Sequence, residues 1–590
     1  MAWNNKPLGN LTPYQLITTF GPGALIDGVT DSLMPLDCKY WPSRNKAIYD
    51  KRLTEYLGVE FFKVPEDVPV SIFPDFHECK KCHNLFRVSK IDRESYLLNG
   101  ARCICGGNSH PVRFIVICEN GHAQDFPWSA WVHDGNDNCK SENLKLVSSG
   151  ITSSLADLRV VCNDCGAKRS LSGVSLEDSL SKFECDGYHP HKLEKDSTKC
   201  TSKVKFSYKG STNVYFSNIV SALSIPSYNN SLNSRLEKHI EEIQKIQSLT
   251  QLPSSAKRRN PDLTLEDYIS DLLEDEYEKH FSDYSKDEFF NRLNSKDENK
   301  VTKQDLKKQE YDAILNYRNF EKSSFFKAID EKPEELKEYF SKIIRVEKLK
   351  EIIVLKGFNR VEMPDYGEDN VSNLVELNSG KNKWLPAIEA FGEGIFLEFN
   401  KETLNKWNKI LKVSEKGNLY NSIYSAYLKS KDWEKKEDRD SNYVLIHTLS
   451  HLLIKKLGDV SGYTSTSIRE RIYYGEDMNG VLIYTSTSDS EGSLGGLVEQ
   501  GKKENLKNLL LLALKDALTC NSDPICVSTN PVLENLKFNG ASCHSCTLVS
   551  ETSCEIGNKF LDRRFLLSLE GEKIGYFDEY FQNEAGINLY

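Results

Sequence analysis

The sequence predicts a mixed α/β chain of several domains, with metal-stapled regions toward both ends and a charged helical stretch between them. Three observations carry that expectation. At 590 residues the chain is too long for one hydrophobic core. Its 16 cysteines fall largely into close pairs rather than being scattered. Between the paired regions the composition turns rich in Lys, Glu, Asp and Ser, with apolar residues sparse and at helical spacing, as in Leu265-Glu-Asp-Tyr-Ile-Ser-Asp-Leu-Leu273. Five segments are expected: a helix and strands over 1–70, a zinc-ribbon-like region over 71–226, a charged helical segment over 227–345, an α/β segment over 346–428, and a C-terminal α/β domain with a four-cysteine zinc site over 429–590.

Composition narrows the class. A charged fraction of 27% and a hydrophobic fraction of 39% are those of a soluble globular protein. The start, Met1-Ala-Trp-Asn-Asn-Lys6, lacks a basic-then-apolar leader, and the most apolar run, Leu509 to Leu514, falls far short of the ~20 residues of a membrane span. A cytoplasmic protein with no membrane partner is expected, and in a reducing compartment its cysteines read as metal ligands. The net charge of −10 argues against a uniformly nucleic-acid-coating surface. It leaves room for a local basic groove or for docking on a more basic partner.

Taken in order, Thr12-Pro-Tyr-Gln15 has the capping residue, first-turn proline and reciprocal glutamine of a helix start, and Gly21-Pro-Gly23 reads as a tight corner that ends the helix. Cys79-x2-Cys82 and Cys103-x-Cys105 give two close pairs on two loops, the arrangement of a zinc ribbon. Arg113-Phe-Ile-Val-Ile-Cys118 is a strand that delivers Cys118, and Cys118, His122, His133 and Cys139 supply zinc ligand types at irregular spacing. Cys162-x2-Cys165 is a knuckle, here grouped with the more distant Cys185 and Cys200. Cys38 is isolated and reads as buried. Lys203 to Ile225 alternates as strands entering a core, and Val346 to Phe399 returns to strands with Ile352-Ile-Val-Leu355 as a buried run. Residues 227–345 read as solvated helices, a helical arm or an insertion, and Lys257-Arg-Arg259 as a solvated loop.

The C-terminal part holds most of the chemistry. Cys526, Cys543, Cys546 and Cys554 form C-x16-C-x2-C-x7-C, a closed tetrahedral set suited to structural zinc, with Cys520 as a spare that packs or substitutes. His447 and His451 lie four apart on a helix and share a face, but Thr448 stands where a zinc protease carries its glutamate. Asp489 and Glu491, in Ser488-Asp-Ser-Glu-Gly-Ser-Leu-Gly-Gly496, either cap the next helix or join the histidines and Glu470 around a divalent cation that activates water. Gly496-Leu-Val-Glu-Gln-Gly-Lys-Lys503 is a near miss to a phosphate-binding loop, with Lys503 where Ser or Thr must hold magnesium. An ATPase motif of its own is therefore not expected. Arg469 and Arg471 are candidates for phosphate contacts or for ion pairs with neighbouring glutamates.

His447-Thr-Leu-Ser-His451, Ser467-Ile-Arg-Glu-Arg-Ile-Tyr473, Gly480-Val-Leu-Ile-Tyr484, Ser488 to Leu497 and Gly540-Ala-Ser-Cys-His-Ser-Cys546 through Cys554 to Asp562 resemble the MrfA-type zinc-binding domain, which follows the motor of DNA-repair helicases. With no motor ahead of it here, and with Tyr14 to Ala24, Ser211 to Phe216 and Ser221 to Pro226 in support, the chain resembles the DrmB family of the bacterial anti-phage system DISARM. The resemblance implies a non-catalytic zinc-binding subunit that works with a helicase of the DrmA type and meets DNA through that complex. The competing expectation from the residues is a metal-dependent nuclease or phosphodiesterase using His447, His451, Asp489 and Glu491.

Overall fold

The strand Phe340–Asn359 is the axis around which the chain is assembled. It was traced in a computed structural model describing residues 9–589 except 29, 43, 135–138, 149–153, 177, 227–230, 248, 250, 295–300, 321–322, 366–370, 378–382, 436, 476, 488–494 and 588. This strand pairs antiparallel with Phe216–Leu223, Lys327–Glu331, Val375–Glu376 and Trp384–Phe399. Trp384–Phe399 pairs in turn with Met478–Thr487, which pairs with Ile468–Gly475. Phe61–Lys63, itself paired with Ala47–Ile48, runs parallel to the start of Trp384–Phe399 and completes a nine-stranded sheet. All five expected segments contribute strands to it. The fold is mixed α/β, with several sheets and helices on both sides.

Strand geometry explains both faces. Successive side chains point to opposite sides, so Ile343, Ile395, Leu397, Ile472, Val481 and Ile483 enter one core while their neighbours Ile344, Phe396, Tyr473, Leu482 and Tyr484 enter the other. The first core is closed by the helices Leu411–Ser430, Ser441–Val460 and Lys503–Leu518. The second is closed by Lys303–Leu315, through Tyr311 and Ile314. Gly392 lets adjacent strands meet, because a Cβ there would strike the Thr485 carbonyl.

At the N-terminus, Pro13–Thr18 is a helix with Thr12 and Gln15 in a reciprocal capping box. The corner that follows needs glycine: Gly23 has φ of +90°, and a Cβ would lie 2.6 Å from the Phe358 ring. Arg360, fully buried, ties three regions together by donating to the backbone carbonyls of Gly23, Gly121 and Val214.

The charged middle segment is more ordered than a solvated arm. Leu236, Ile243, Leu273 and Phe289, from Ser231–Gln247, Leu265–His280 and Lys286–Asn294, build a small core of their own. Lys303–Leu315 lies on the central sheet, an integral part of the fold that sparse apolar spacing conceals. No helix among the described residues is long and apolar enough to cross a membrane.

Candidate metal centres

Three groups of donors converge in the N-terminal zinc-ribbon-like region. In the first, the hairpin of Phe76–Cys79 and Asn84–Arg87 presents Cys79 and Cys82 at its turn, while pairing of Cys79 with Ser109 brings up the loop of Cys103 and Cys105. Cys79 and Cys105 sulfurs are 3.5 Å apart, and those of Cys82 and Cys103 are 3.6 Å apart. These separations are far beyond a disulfide bond of ~2.05 Å. They match the ~3.8 Å edge of a tetrahedron built on a zinc–sulfur distance of ~2.3 Å.

The other two groups correct the sequence assignment. Cys118, His122, Cys185 and Cys200 come together, and so do His133, Cys139, Cys162 and Cys165. The grouping of Cys118 and His122 with His133 and Cys139, and of Cys162 and Cys165 with Cys185 and Cys200, is not the one the fold makes. Strand register is the reason. Leu144 pairs with Cys162, which lays the chain after Cys139 beside the Cys162 knuckle. Lys205 pairs with Ile117, which returns Cys200 to Cys118. The group of His133, Cys139, Cys162 and Cys165 is therefore nested in sequence between His122 and Cys185 of the other, and order along the chain carries no signal of this.

Both histidines are oriented from behind. His122 faces Cys118 with Nδ1 at 3.3 Å, and its Nε2 lies 2.8 Å from Asp196. His133 faces Cys165 with Nε2 at 3.4 Å, and its Nδ1 lies 2.7 Å from the Ser129 carbonyl. Such backing contacts fix which ring nitrogen carries the proton and leave the other free as a ligand. In three of the cysteine turns the sulfur is prepared in the same spirit. Burial pulls the thiols of Cys79, Cys162 and Cys543 up, but amides of the following residues, with the Cys520 thiol at Cys543, bring each down to about 6. A thiol in that range is largely ionised at neutral pH and ready for a cation.

In the C-terminal domain Cys520, Cys526, Cys543 and Cys546 form the fourth group, with sulfur separations of 3.4 Å for Cys520–Cys543 and 3.7 Å for both Cys526–Cys546 and Cys543–Cys546. Cys520 thus takes the place expected for Cys554. Asp523 organises the first half of the site by accepting from the amides of Cys520 and Val527 and pairing with buried Arg563. Cys554 is drawn elsewhere because its loop adds to the strand Ile468–Gly475, with the Glu470 amide donating to the Ser553 carbonyl. Its sulfur ends 3.3 Å from His447 Nε2, beside His451 and Glu470.

That placement also corrects the hydrolytic reading. His447 and His451 are fully buried in the helix Ser441–Val460, so no substrate phosphate reaches them. Asp489 and Glu491 lie outside the described residues. Arg469 and Arg471 are corrected as well. Arg471 is buried and pairs through two nitrogens with Glu310, and Arg469 bonds Tyr14 and lies 3.6 Å from Glu351. The near-P-loop stretch is used up by helix: Gly496–Gln500 and Lys503–Leu518 are helical, the Gly501 amide bonds the Val498 carbonyl, and Lys503 pairs with Glu334. Fifteen of the 16 cysteines stand in the four cysteine-rich groups or beside His447, and Cys38 is buried apart from them. These sulfur-rich donor sets are suited to zinc.

Comparison with known proteins matches the geometry. Residues 12–216, which hold all three N-terminal groups, match the model of a domain of unknown function, DUF8724. Residues 449–547, which hold Cys520, Cys526, Cys543 and Cys546, match the MrfA Zn-binding domain. The DISARM protein DrmB of Bacillus paralicheniformis is 39% identical over 575 residues, covering 94% of this chain and 99% of that protein.

Proposed function

Because the chain belongs to the DrmB family of DISARM proteins, we propose that it is a zinc-stapled, non-catalytic subunit that docks on a helicase of the DrmA type and helps hold or guide DNA within that complex. The observation that carries this reading is the C-terminal domain. It is of the MrfA Zn-binding type, a type that accompanies helicase motors, and the one stretch resembling a phosphate loop is folded as helix. Zinc groups make loops rigid without adding a nucleophile, which suits a module that presents a surface to a motor. The ligands for zinc in this reading are the four Cys-rich groups described above. Cytoplasmic location follows from the same reading, since the motor and its DNA are there.

The test is co-purification. A tag on this chain alone, with a helicase of the DrmA type co-expressed, should carry the helicase through size exclusion near one-to-one. Adding the chain should also change the helicase's DNA affinity and DNA-stimulated ATPase rate. A chain that elutes alone and leaves both quantities unaltered sinks the proposal.

A further inference from the structure

Among the described residues, one further cluster of donors lies wholly inside the C-terminal core. His447 Nε2 is 3.1 Å from Glu470 Oε1 and 3.3 Å from Cys554 Sγ, and His451 Nε2 is 3.5 Å from the same Glu470 oxygen. All four side chains are buried. The two imidazoles stand edge to face with centroids 4.4 Å apart, so both nitrogens aim at one point rather than stacking.

The hydrogen bonding around these groups is incomplete in a way that singles out a cation. His451 Nδ1 lies 3.0 Å from the Thr547 carbonyl, an acceptor, so Nδ1 carries the ring proton. Its Nε2 then offers a lone pair toward a carboxylate oxygen and has no hydrogen-bond partner. His447 Nδ1 is buried without a hydrogen-bond partner, while its Nε2 faces both Glu470 and Cys554. Meanwhile Glu470 is held in place by the Ser450 hydroxyl and the Glu555 amide, and Cys554 sulfur accepts the Asn558 amide at 3.2 Å. Lone pairs of His451, Glu470 and His447 thus converge on a buried point where the Cys554 thiol supplies the one proton, an arrangement that costs several kcal/mol unless something positive fills it.

The separations have the size of a coordination polyhedron. Zinc bonds of ~2.0–2.1 Å to nitrogen and oxygen and ~2.3 Å to sulfur give tetrahedral edges of roughly 3.3 Å and 3.5 Å. The backing of His451 by a carbonyl repeats that of His133 by Ser129. Charge also closes: one carboxylate and one thiolate with two neutral imidazoles balance a dication, which a closed low-dielectric core requires.

We propose that His447 Nε2, His451 Nε2, Glu470 Oε1 and Cys554 Sγ form a closed four-coordinate zinc site, a second metal centre in this domain separate from the four-cysteine group. Binding releases the Cys554 thiol proton to solvent as the sulfur–metal bond forms, and no position is left open for water. The site joins the helix Ser441–Val460, the strand Ile468–Gly475 and the loop after Cys546. It also touches the four-cysteine group, since Thr547 supplies its carbonyl to His451 and lies 3.8 Å, hydroxyl to sulfur, from Cys546. The inference stands on these residues and is independent of any helicase partner.

The deciding experiment is anomalous diffraction from crystals of the full-length chain grown from zinc-supplemented cells, with data above and below the zinc absorption edge. A zinc-specific peak between His447, His451, Glu470 and Cys554 is expected, with a fifth zinc per chain by elemental analysis. Peaks at the four Cys-rich groups with none here would overturn the site, and a peak that persists below the edge would overturn zinc as its occupant. Cys554→Ala should lower the count by one while the other four ions stay. If that variant does not fold, the wild-type map alone gives the answer.

Discussion

Glu310 is the side chain whose loss should be felt furthest from its own helix. It sits on Lys303–Leu315, 1% exposed, and accepts four hydrogen bonds: from Arg471 Nη2 and the Leu223 amide on Oε1, and from Arg471 Nε and the Tyr473 hydroxyl on Oε2. Glu310→Ala strands the buried guanidinium of Arg471, which keeps the Ser221 carbonyl at 3.2 Å and a Glu555 oxygen only at 4.0 Å. Breaking one side of a buried pair costs about 3–5 kcal/mol. The orphaned Leu223 amide is part of that loss rather than an addition to it, because the partners share one network. Glu310→Leu with Arg471→Met removes both charges at once and should recover more than half of the loss. Hydrogen exchange is the assay of choice, since several cores make a single melting temperature ill-defined. Strands 216–223 and 468–475 should lose protection together in each single variant and regain it in the double. If the two single losses simply add in the double, with a coupling below about 0.5 kcal/mol, the account of this helix as part of the central sheet fails.

Other expectations follow from the same structure. Chelating zinc, or Cys543→Ser, should remove on the order of 10–16 kcal/mol of metal-linked stabilisation from the C-terminal knuckle and expose residues 520–558 to proteolysis, readable by limited digestion. Arg360→Met should destabilise by several kcal/mol, because it leaves three backbone carbonyls without their shared donor; loss of hydrogen-exchange protection around residues 23, 121 and 214 checks this. His191 is fully buried with neither ring nitrogen hydrogen-bonded, and burial first, then the Arg360 charge, holds its pKa well below the ordinary 6.5. The unfolded chain therefore binds its proton more readily, so stability should decline as pH falls below about 6.5, and His191→Phe should flatten that decline in denaturant titrations. Substituting Lys257, Arg258 and Arg259 together by alanine should change stability by no more than about 0.5 kcal/mol, since none of the three is buried.

What the sequence made legible was local. The capping box at Thr12, the strand through Ile352 to Leu355 and the helix carrying His447 are all encoded within a few residues, where spacing and residue type suffice. The cysteine turns were visible for the same reason, because two ligands on one knuckle are a short-range feature. Which knuckle meets which distant ligand was not visible, since that depends on register between strands such as Leu144 with Cys162 and Lys205 with Ile117. Cys554 illustrates the limit. By spacing it belongs with Cys543 and Cys546, yet seven residues of loop let the strand at Glu470 claim it. The pairing of Arg469 and Arg471 was equally hidden, because Tyr14, Glu310 and Glu351, their partners, lie more than a hundred residues away.

The long strand Phe340–Asn359 also sets a timetable for synthesis. Phe216–Leu223 leaves the ribosome with no strand to pair with, and its partner begins 117 residues after Leu223. At roughly 5–20 residues per second that interval lasts about 6–23 s. By then all donors of the three N-terminal groups, Cys79 to Cys200, are already out and able to take up metal. The central sheet therefore closes onto a partner that has had time to fold, and the last strands to arrive, Ile468–Gly475 and Met478–Thr487, are made before any of the C-terminal cysteines. A nascent chain stalled before residue 340 would hold a finished zinc module attached to an unpaired strand.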